Sequence, residues 1–434
     1  MDHIEPVRQA DRITSVDALR GFSLLGILLL NIASFGLPFA AYMNPTVYGG
    51  DTAADLNVWV LAITLWDGKF RCIFSMLFGA GAIILLERAE RRGAGIEAAD
   101  VYYRRTMWLI LIGLLHAHLI WAGDILYGYG VVGLLLFPLR RLSAKALIIT
   151  GTVLILLHSL QGIGAGIGIG ELREKAMAAE KVANPTEEQQ KALLEWKQLG
   201  DMFEPKKANV EKEVKIHRGG WLENLPLRSG EAAMFEFTMF FQFLFLDVLA
   251  MLVMGMGLAK AGVFDASRTY AFYGALAAAG FAIGVPLNYW AAQQWIAAGF
   301  TAPTYFTYLA STADAGRFSV AMGYTGLLMM ACKSGVKFLT VPLAAVGRTA
   351  LSNYLLTSIL CTLFFNGYGL GNFGKLARHE LYYVVLGMWA INLTISPIWL
   401  RYFRFGPAEW AWRSLTYWER QPLRRDAAII EYSS

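Results

Sequence analysis

Val16–Asn31, V-D-A-L-R-G-F-S-L-L-G-I-L-L-L-N, is the stretch from which the rest of the chain can be read. An Asp–Arg pair opens an apolar run and an Asn closes it. Asp17 and Arg20 stand three apart, so on a helix they are neighbours. Arg20 and Asn31 stand eleven apart. At about 100° per residue that spacing returns to nearly the same face, about 16 Å further along the axis. One stripe of a single helix then carries a charge near one water interface and a carboxamide deep in, or near the other. A lone Asn in an apolar helix usually binds helices together. With Arg20 on its stripe, a functional groove is the alternative.

The whole composition agrees with a membrane setting. Of 434 residues, 56% are hydrophobic and 16% charged, with a mean hydropathy of +0.44. Soluble domains carry about 25% charged residues. Several apolar windows of about 20 residues are long enough to cross a bilayer. The expected fold is all-α: a polytopic helical membrane protein with about ten transmembrane helices and one polar helical extracytoplasmic insertion. The net charge of +5 calls for no nucleic-acid partner, because the bases sit in short loops between apolar runs. Cys72, Cys332 and Cys361 are odd in number and scattered. They argue against a disulfide framework or structural zinc, and no metal is expected. The polar N-terminus has no cleavable signal pattern.

In chain order, the first run covers Leu19–Leu37 and stops at Pro38. A short apolar segment, Leu56–Trp66, precedes D-G-K-F-R at Asp67–Arg71 and the second run, Cys72–Leu86. The third is Thr106–Trp121, the fourth Ile125–Leu139 and the fifth about Ala146–Ile169. The fifth ends in alternating glycines, which suit close packing or fraying and lack the G-K-[ST] of a phosphate loop. Glu171–Arg228 is the one polar block, rich in Ala, Glu, Lys and Gln. Five more runs follow: Ala232–Leu258, Tyr270–Ile296, Phe318–Cys332, Leu343–Phe365 and Leu381–Leu400. The expected division is residues 1–170, 171–230, 231–402 and 403–434, the last a cytoplasmic tail. Basic loops alternate with base-poor ones, which puts both termini in the cytoplasm.

Candidate chemistry gathers in the third run. His116 and His118 point about 160–200° apart on a helix, so they cannot chelate one ion. Ionisable residues inside a membrane helix are costly and therefore functional candidates. A neutral His is a natural general base near pH 7; the plainer reading is a packing hydrogen bond. Asp124 either orients that imidazole or caps the next helix. Lys69 and Arg71 either hold an anionic ligand or snorkel to the interface. Arg348, with Ser352 and Asn353, either clamps phosphate or serves as a topological charge. Asp247, inside the sixth run, calls for an Arg from another helix.

Four stretches carry a resemblance: K-F-R-C-I-F-S-M-L-F-G-A-G (Lys69–Gly81), G-L-L-H-A-H-L-I-W-A-G-D-I-L (Gly113–Leu126), G-R-T-A-L-S-N-Y-L-L-T-S (Gly347–Ser358) and F-G-P-A-E-W-A-W-R-S-L-T-Y (Phe405–Tyr417). Together they resemble the YeiB family of bacterial inner-membrane proteins, over nearly the whole chain and in order. The first helix, D-x-x-R-G and then Asn31, is more distantly similar to that of heparan-alpha-glucosaminide N-acetyltransferase. That enzyme moves an acetyl group from cytosolic acetyl-CoA to a sugar amine across a membrane. The resemblance implies a site in which an Asn at the Asn31 position pairs with a His shortly after it. Phe39–Leu65 contains no His, so His116 is the base expected here. The acyltransferase-3 family has a His where this chain has Asn31.

The function expected is a membrane-embedded acyltransferase. It would use cytoplasmic acetyl-CoA or another acyl-CoA and an extracytoplasmic sugar or lipid acceptor. His116, Asn31 and Asp124 are the catalytic candidates. Arg20, Lys69, Arg71, Arg348 and Asn353 are the candidates for holding the donor. The alternative is a transporter or flippase of a small or amphipathic solute. The expected partners are the lipid bilayer, the acyl donor and a glycan or lipid acceptor, with a homodimer left open.

Overall fold

A computed structural model describes residues 13–50, 52–93, 95–203 and 205–425. Among them every named element is helical, and one isolated bridge, Phe403 to Arg424, is the extent of strand pairing. The first helix, α1 (Thr14–Gly36), ends before Pro38 and is followed by the short α2 (Phe39–Met43). Thr52 caps α3 (Ala53–Leu61), which widens into a π-helical turn at Ala62–Trp66. After a Gly68 turn the chain enters α4 (Lys69–Arg91) and then α5 (Glu97–Leu119). The fourth apolar run is divided into α6 (Leu126–Gly133) and α7 (Leu136–Leu139).

Ser143 accepts from the Ala146 amide to start α8 (Ala144–Ala179). This helix runs straight through the alternating glycines, which therefore do not fray. At 36 residues it is about 54 Å long, more than the ~30 Å of a hydrocarbon layer. Its outer face shows Ile149, Val153, Leu156, Leu160, Ile163 and Ile167. Such a stripe is a liability in water and the expected lipid-facing surface in a bilayer.

The polar block forms α9 (Glu187–Phe203), α10 (Lys207–His217) and α11 (Trp221–Ala233). The last of these is not separate from the membrane bundle. It continues through a π-helical segment, Met234–Leu244, into α12 (Phe245–Lys260), one continuous helical stretch of 40 residues that contains an apolar window long enough to cross a membrane. Then come α13 (Tyr270–Ala297), α14 (Ala302–Thr304), α15 (Ser311–Lys333), α16 (Lys337–Arg348), α17 (Ala350–Phe365), α18 (Leu381–Tyr402) and α19 (Pro407–Tyr417). Among the described residues, six helices are long and apolar enough to cross a membrane, and a seventh span results if α15 and α16, bent by 117°, count as one. The protein is an all-α, multi-pass membrane protein.

Two sequence readings need correction. Leu343–Phe365 is not one helix: the chain breaks at Thr349. The break is stable because side chains take over the backbone groups it releases, as hydrocarbon surroundings require. Thr349 Oγ1 donates to Ala345 O at 3.0 Å and Asn353 Nδ2 to Val346 O at 3.2 Å. The expected tail, residues 403–434, also needs narrowing: 426–434 lie outside the described residues, and 403–425 contain α19. From α19, Glu409 reaches back so that the Leu351 and Ser352 amides donate to its Oε1 at 2.6 and 3.2 Å. A carboxylate at a helix N-terminus is favoured by the exposed amides and the helix dipole.

Close approach sets the position of α1. A Cβ on Gly21 would stand 1.9 Å from Leu343 O, and one on Gly347 would stand 1.8 Å from Asp17 O. The backbones of α1 and α16 therefore touch, which small residues allow between membrane helices.

Candidate functional site

The end of α5 delivers His116 into the bundle, and the chain folds back so that Asp124 meets it. His116 Nδ1 and Asp124 Oδ1 are 2.8 Å apart, with side-chain exposures of 1% and 0%. The other carboxylate oxygen, Oδ2, accepts from the Tyr127 amide at 2.8 Å. Asp124 thus does both things weighed for it: it orients the imidazole and caps α6. Gly113 makes the geometry possible, since a Cβ there would lie 2.3 Å from Tyr127 N and 2.9 Å from Asp124 Oδ2. Tyr354 adds its ring, 5.0 Å from the imidazole, and a hydroxyl donating to Asp124 Oδ1 at 3.4 Å.

With an ionised Asp124 accepting, Nδ1 carries the proton and Nε2 presents a lone pair. Nε2 is buried and has no hydrogen-bond partner among the described residues. Leaving a buried polar atom unmade costs about 1–3 kcal/mol, so such an atom calls for an explanation.

Asn31 is half-buried. Its carbonyl accepts from Ser34 Oγ at 2.9 Å, while its carboxamide has no hydrogen-bond partner among the described residues. One turn on, Phe35 stacks on Trp121 with centroids 4.1 Å apart, and Trp121 lies 6.3 Å from the His116 ring. The Asn31 stripe and the His116 imidazole therefore border the same aromatic layer. At the far end of that stripe Arg20 pairs with Asp17 at 3.1 Å and keeps 27% of its side chain exposed.

His118 points the other way, as its spacing requires. Its Nδ1 is 2.7 Å from Ser229 Oγ and its Nε2 is 3.2 Å from Glu236 Oε2. Arg228 Nε donates to His118 O and Trp221 Nε1 to Leu119 O, each at 3.0 Å. So α11 closes over the carbonyl end of α5. Beside it, burial holds His217, at the end of α10, down at about 4 against its ordinary 6.5, and pushes Glu213 up. Phe39 N donates to Glu213 Oε1 at 2.8 Å.

A second buried cluster lies deeper. Asp247 receives Arg71 at 2.7 Å and Arg317 at 2.5 Å, and Arg317 also reaches Asp314 at 2.5 Å. His158 joins through Asp314 at 2.6 Å, its other nitrogen facing Phe243 O at 2.8 Å. Arg71, expected to hold an anionic donor, instead neutralises Asp247. Lys69 is 3% exposed and donates to Ile63 O, so it does not snorkel. Asn353 is likewise committed within the protein, to Val346 O, Thr349 Oγ1 and Ser396 Oγ.

At the Arg20 end, Arg105 lies within electrostatic reach of Arg20 and Arg413. Its guanidinium covers the Trp412 ring at 3.7 Å, and its carbonyl accepts from Trp412 Nε1 at 2.8 Å. Arg348, half-buried, follows the Gly347 that touches Asp17. Arg20, Arg105 and Arg413 form one basic group, of which the sequence reading found only Arg20.

Among the described residues, two sets of His and carboxylates bring ligand atoms within 4.8 Å of one another: His158 with Asp247 and Asp314, and Glu213 with His217 and Glu231. In the first, Arg317 already stands where a cation would. In the second, Arg228 is the neighbouring charge. Neither set was found from sequence: the first draws on helices far apart in the chain, and the second lies in the polar block, where its acids and His stand among many other charges. The isolated acid and bases in otherwise apolar stretches, Glu236, His158 and Arg317, were the available signal.

Fold and site together define a multi-pass helical membrane protein with a buried histidine–carboxylate pair near one end of its bundle. The chain belongs to the YeiB family. It is 34% identical to YeiB of Escherichia coli (strain K12) over 410 residues, covering 94% of this chain and 96% of that one. It is 28% identical to YxaH of Bacillus subtilis (strain 168) over 438 residues, 99% and 100% of the two chains. A Bacillus acidopullulyticus protein, described as a 39.9 kDa protein in the amylase 3′ region, is 25% identical over 97% of this chain and 98% of its own. Residues 258–419 match a family described as "Protein of unknown function (DUF418)".

Proposed function

We propose that the protein is an acyltransferase of the bacterial inner membrane, with both termini in the cytoplasm. It would transfer an acyl group from cytoplasmic acyl-CoA to a hydroxyl or amine presented on the extracytoplasmic side. The observation that carries this reading is the 2.8 Å His116–Asp124 pair with an unpartnered, buried Nε2. In the proposed reaction Nε2 takes the acceptor's proton as its oxygen or nitrogen attacks the thioester carbon. The carbonyl electrons move onto oxygen, which Asn31 Nδ2 stabilises by donating a hydrogen bond. Collapse of that intermediate expels the CoA thiolate, and the new ester or amide remains. Asp124 holds the imidazole in the required tautomer. The basic group of Arg20, Arg105 and Arg413, with Arg348 nearby, suits the phosphates of CoA.

The test is transfer from radiolabelled acetyl-CoA by the purified chain to a panel of glycans and lipids. His116→Ala is expected to lower turnover about 10²–10⁴-fold; unchanged turnover removes the base. A transporter or flippase is the second reading, favoured by the Arg71–Asp247–Arg317–Asp314–His158 network, since intramembrane charges commonly mark ion and solute paths. Solute uptake into proteoliposomes with no acyl-CoA present would select it.

A further inference from the structure

Around the end of α5, four residues keep buried polar atoms without a hydrogen-bond partner among the described residues: His116 Nε2, Asn224 Oδ1, Glu236 Oε1 and both terminal nitrogens of Arg228. Arg228 is the unusual one. Its side chain belongs to a residue only 4% exposed. Its Nε is committed to the His118 carbonyl at 3.0 Å, which is a helix-end cap. Capping accounts for that nitrogen, and the guanidinium carbon lies 5.2 Å from the centroid of the Trp221 ring, but neither contact gives the planar fork of Nη1 and Nη2 an oxygen to donate to. The fork neighbours Tyr368, Glu231 and His217, and no hydrogen bond to any of them satisfies it among the described residues. A desolvated guanidinium without an oxygen partner is costly, and its geometry matches the two oxygens of a carboxylate or phosphate.

Asn224 stands one turn before Arg228 on the same face of α11, with its own oxygen unpartnered. His118 and Glu236 tie the Arg228 neighbourhood to the His116 helix end. A basin of about 1080 Å³ opens on the neighbouring α10–α11 turn, and Lys207, Lys215 and Arg218 contribute to its wall beside Glu211 and Glu223. Its basic majority favours approach of an anion.

We infer that Arg228 and Asn224 form an anion subsite, and that the group they hold is a carboxylate or phosphate on the acyl acceptor. Arg228 binds two of its oxygens through the fork, and Asn224 Oδ1 receives a neighbouring hydroxyl. This names a substrate class for the transfer reading and rests on it for the word acceptor. The subsite itself does not depend on transfer.

Titration calorimetry on the full chain in detergent, with no acyl donor present, tests the subsite. The probes are glucuronate, inorganic phosphate and glucose. Both anions, or one of them, are expected to bind at least about tenfold more tightly than glucose, the scale of a charge-assisted hydrogen bond. Which anion binds better separates a carboxylate from a phosphoryl ligand. Arg228→Gln is expected to abolish the preference. Equal binding of all three probes, or a preference that survives Arg228→Gln, overturns the subsite. If Arg228→Gln does not fold, Arg228→Lys keeps the charge and loses the fork. Glucuronate should then bind at least about threefold more weakly, and unchanged affinity overturns the proposal. Anion binding without any acyl transfer overturns the acceptor assignment alone. Transfer to a neutral glycan without anion preference overturns the subsite and leaves the acyltransferase reading standing.

Discussion

The two buried polar clusters of this bundle answer their charges differently. Around Asp247, each ionic group meets an opposite one: Arg71 and Arg317 flank Asp247, and Asp314 links Arg317 to His158. At the end of α5, Asp124 answers one side of His116 and leaves the other nitrogen unpartnered, and Arg228, which caps the same helix end through Nε, keeps both terminal nitrogens without a hydrogen-bond partner among the described residues. A closed set, its charges paired with one another, holds helices together, even though Arg71 Nη1 and Arg317 Nε keep no hydrogen-bond partner among the described residues. An open set costs stability and keeps hydrogen-bonding capacity for something that arrives.

The largest effect is expected in the closed set. Asp247→Ala leaves two buried guanidiniums without their shared counter-charge, a loss of about 3–5 kcal/mol. Thermal unfolding in detergent should show it as a large fall in midpoint; a midpoint within a degree of the parent would mean that the network is not cohesive. The matching change in the open set is Asp124→Asn. The amide oxygen can still accept from Tyr127, so the fold should hold, while transfer falls by about 10- to 10⁴-fold. A rate loss matched by an equal stability loss would make Asp124 a cap and nothing more.

Gly113→Ala sharpens the contrast between the clusters. The added methyl group meets the Tyr127 backbone and Asp124, and overpacking costs about 1–3 kcal/mol. Its damage should register in turnover before it registers in the Asp247 network. Crosslinking between cysteines placed on α4 and α15 would report that network separately.

The smallest effect concerns the mantle over the open set. Burial keeps His217 neutral in the folded chain down to about pH 4, whereas its ordinary value is 6.5. The unfolded chain therefore binds the extra proton first. Stability is fully present above pH 6.5 and declines as the pH falls toward 4. Glu213, pushed up by burial, contributes with the opposite sign, its share fading as the pH rises past the ordinary carboxylate range. Across this window the fall in unfolding midpoint toward low pH should be smaller in His217→Gln than in the parent, with the opposite contribution of Glu213 and of Glu231, which burial raises to about 7, remaining.

Much of the site was legible because membrane helices make polar residues conspicuous. His116 stood out as an imidazole in an apolar run, and the two-residue spacing correctly sent His118 to a different partner. The need of Asp247 for an Arg was evident, but not that two would come, from α4 and α15. Arg228 was hidden in a block whose charges nearly balance. Its composition there is that of a solvated helix, and only the continuation of α11 into the apolar stretch that ends at Lys260 changes its meaning. The break at Thr349 was invisible for a related reason. Apolar periodicity passes across it, and the groups that stabilise it come from side chains seven and 58 residues away.

By itself, the sequence determined that this chain is a bundle of membrane helices, roughly where they begin and end, and which of them carry unusual charge. Hydrophobic length and local spacing are properties of neighbouring residues, so they can be read along one dimension. Which charges cancel and which stay open was decided only by tertiary structure. That outcome depends on distances of a few ångströms between groups up to hundreds of residues apart, such as Asp124 and Tyr354 or Asp17 and Gly347.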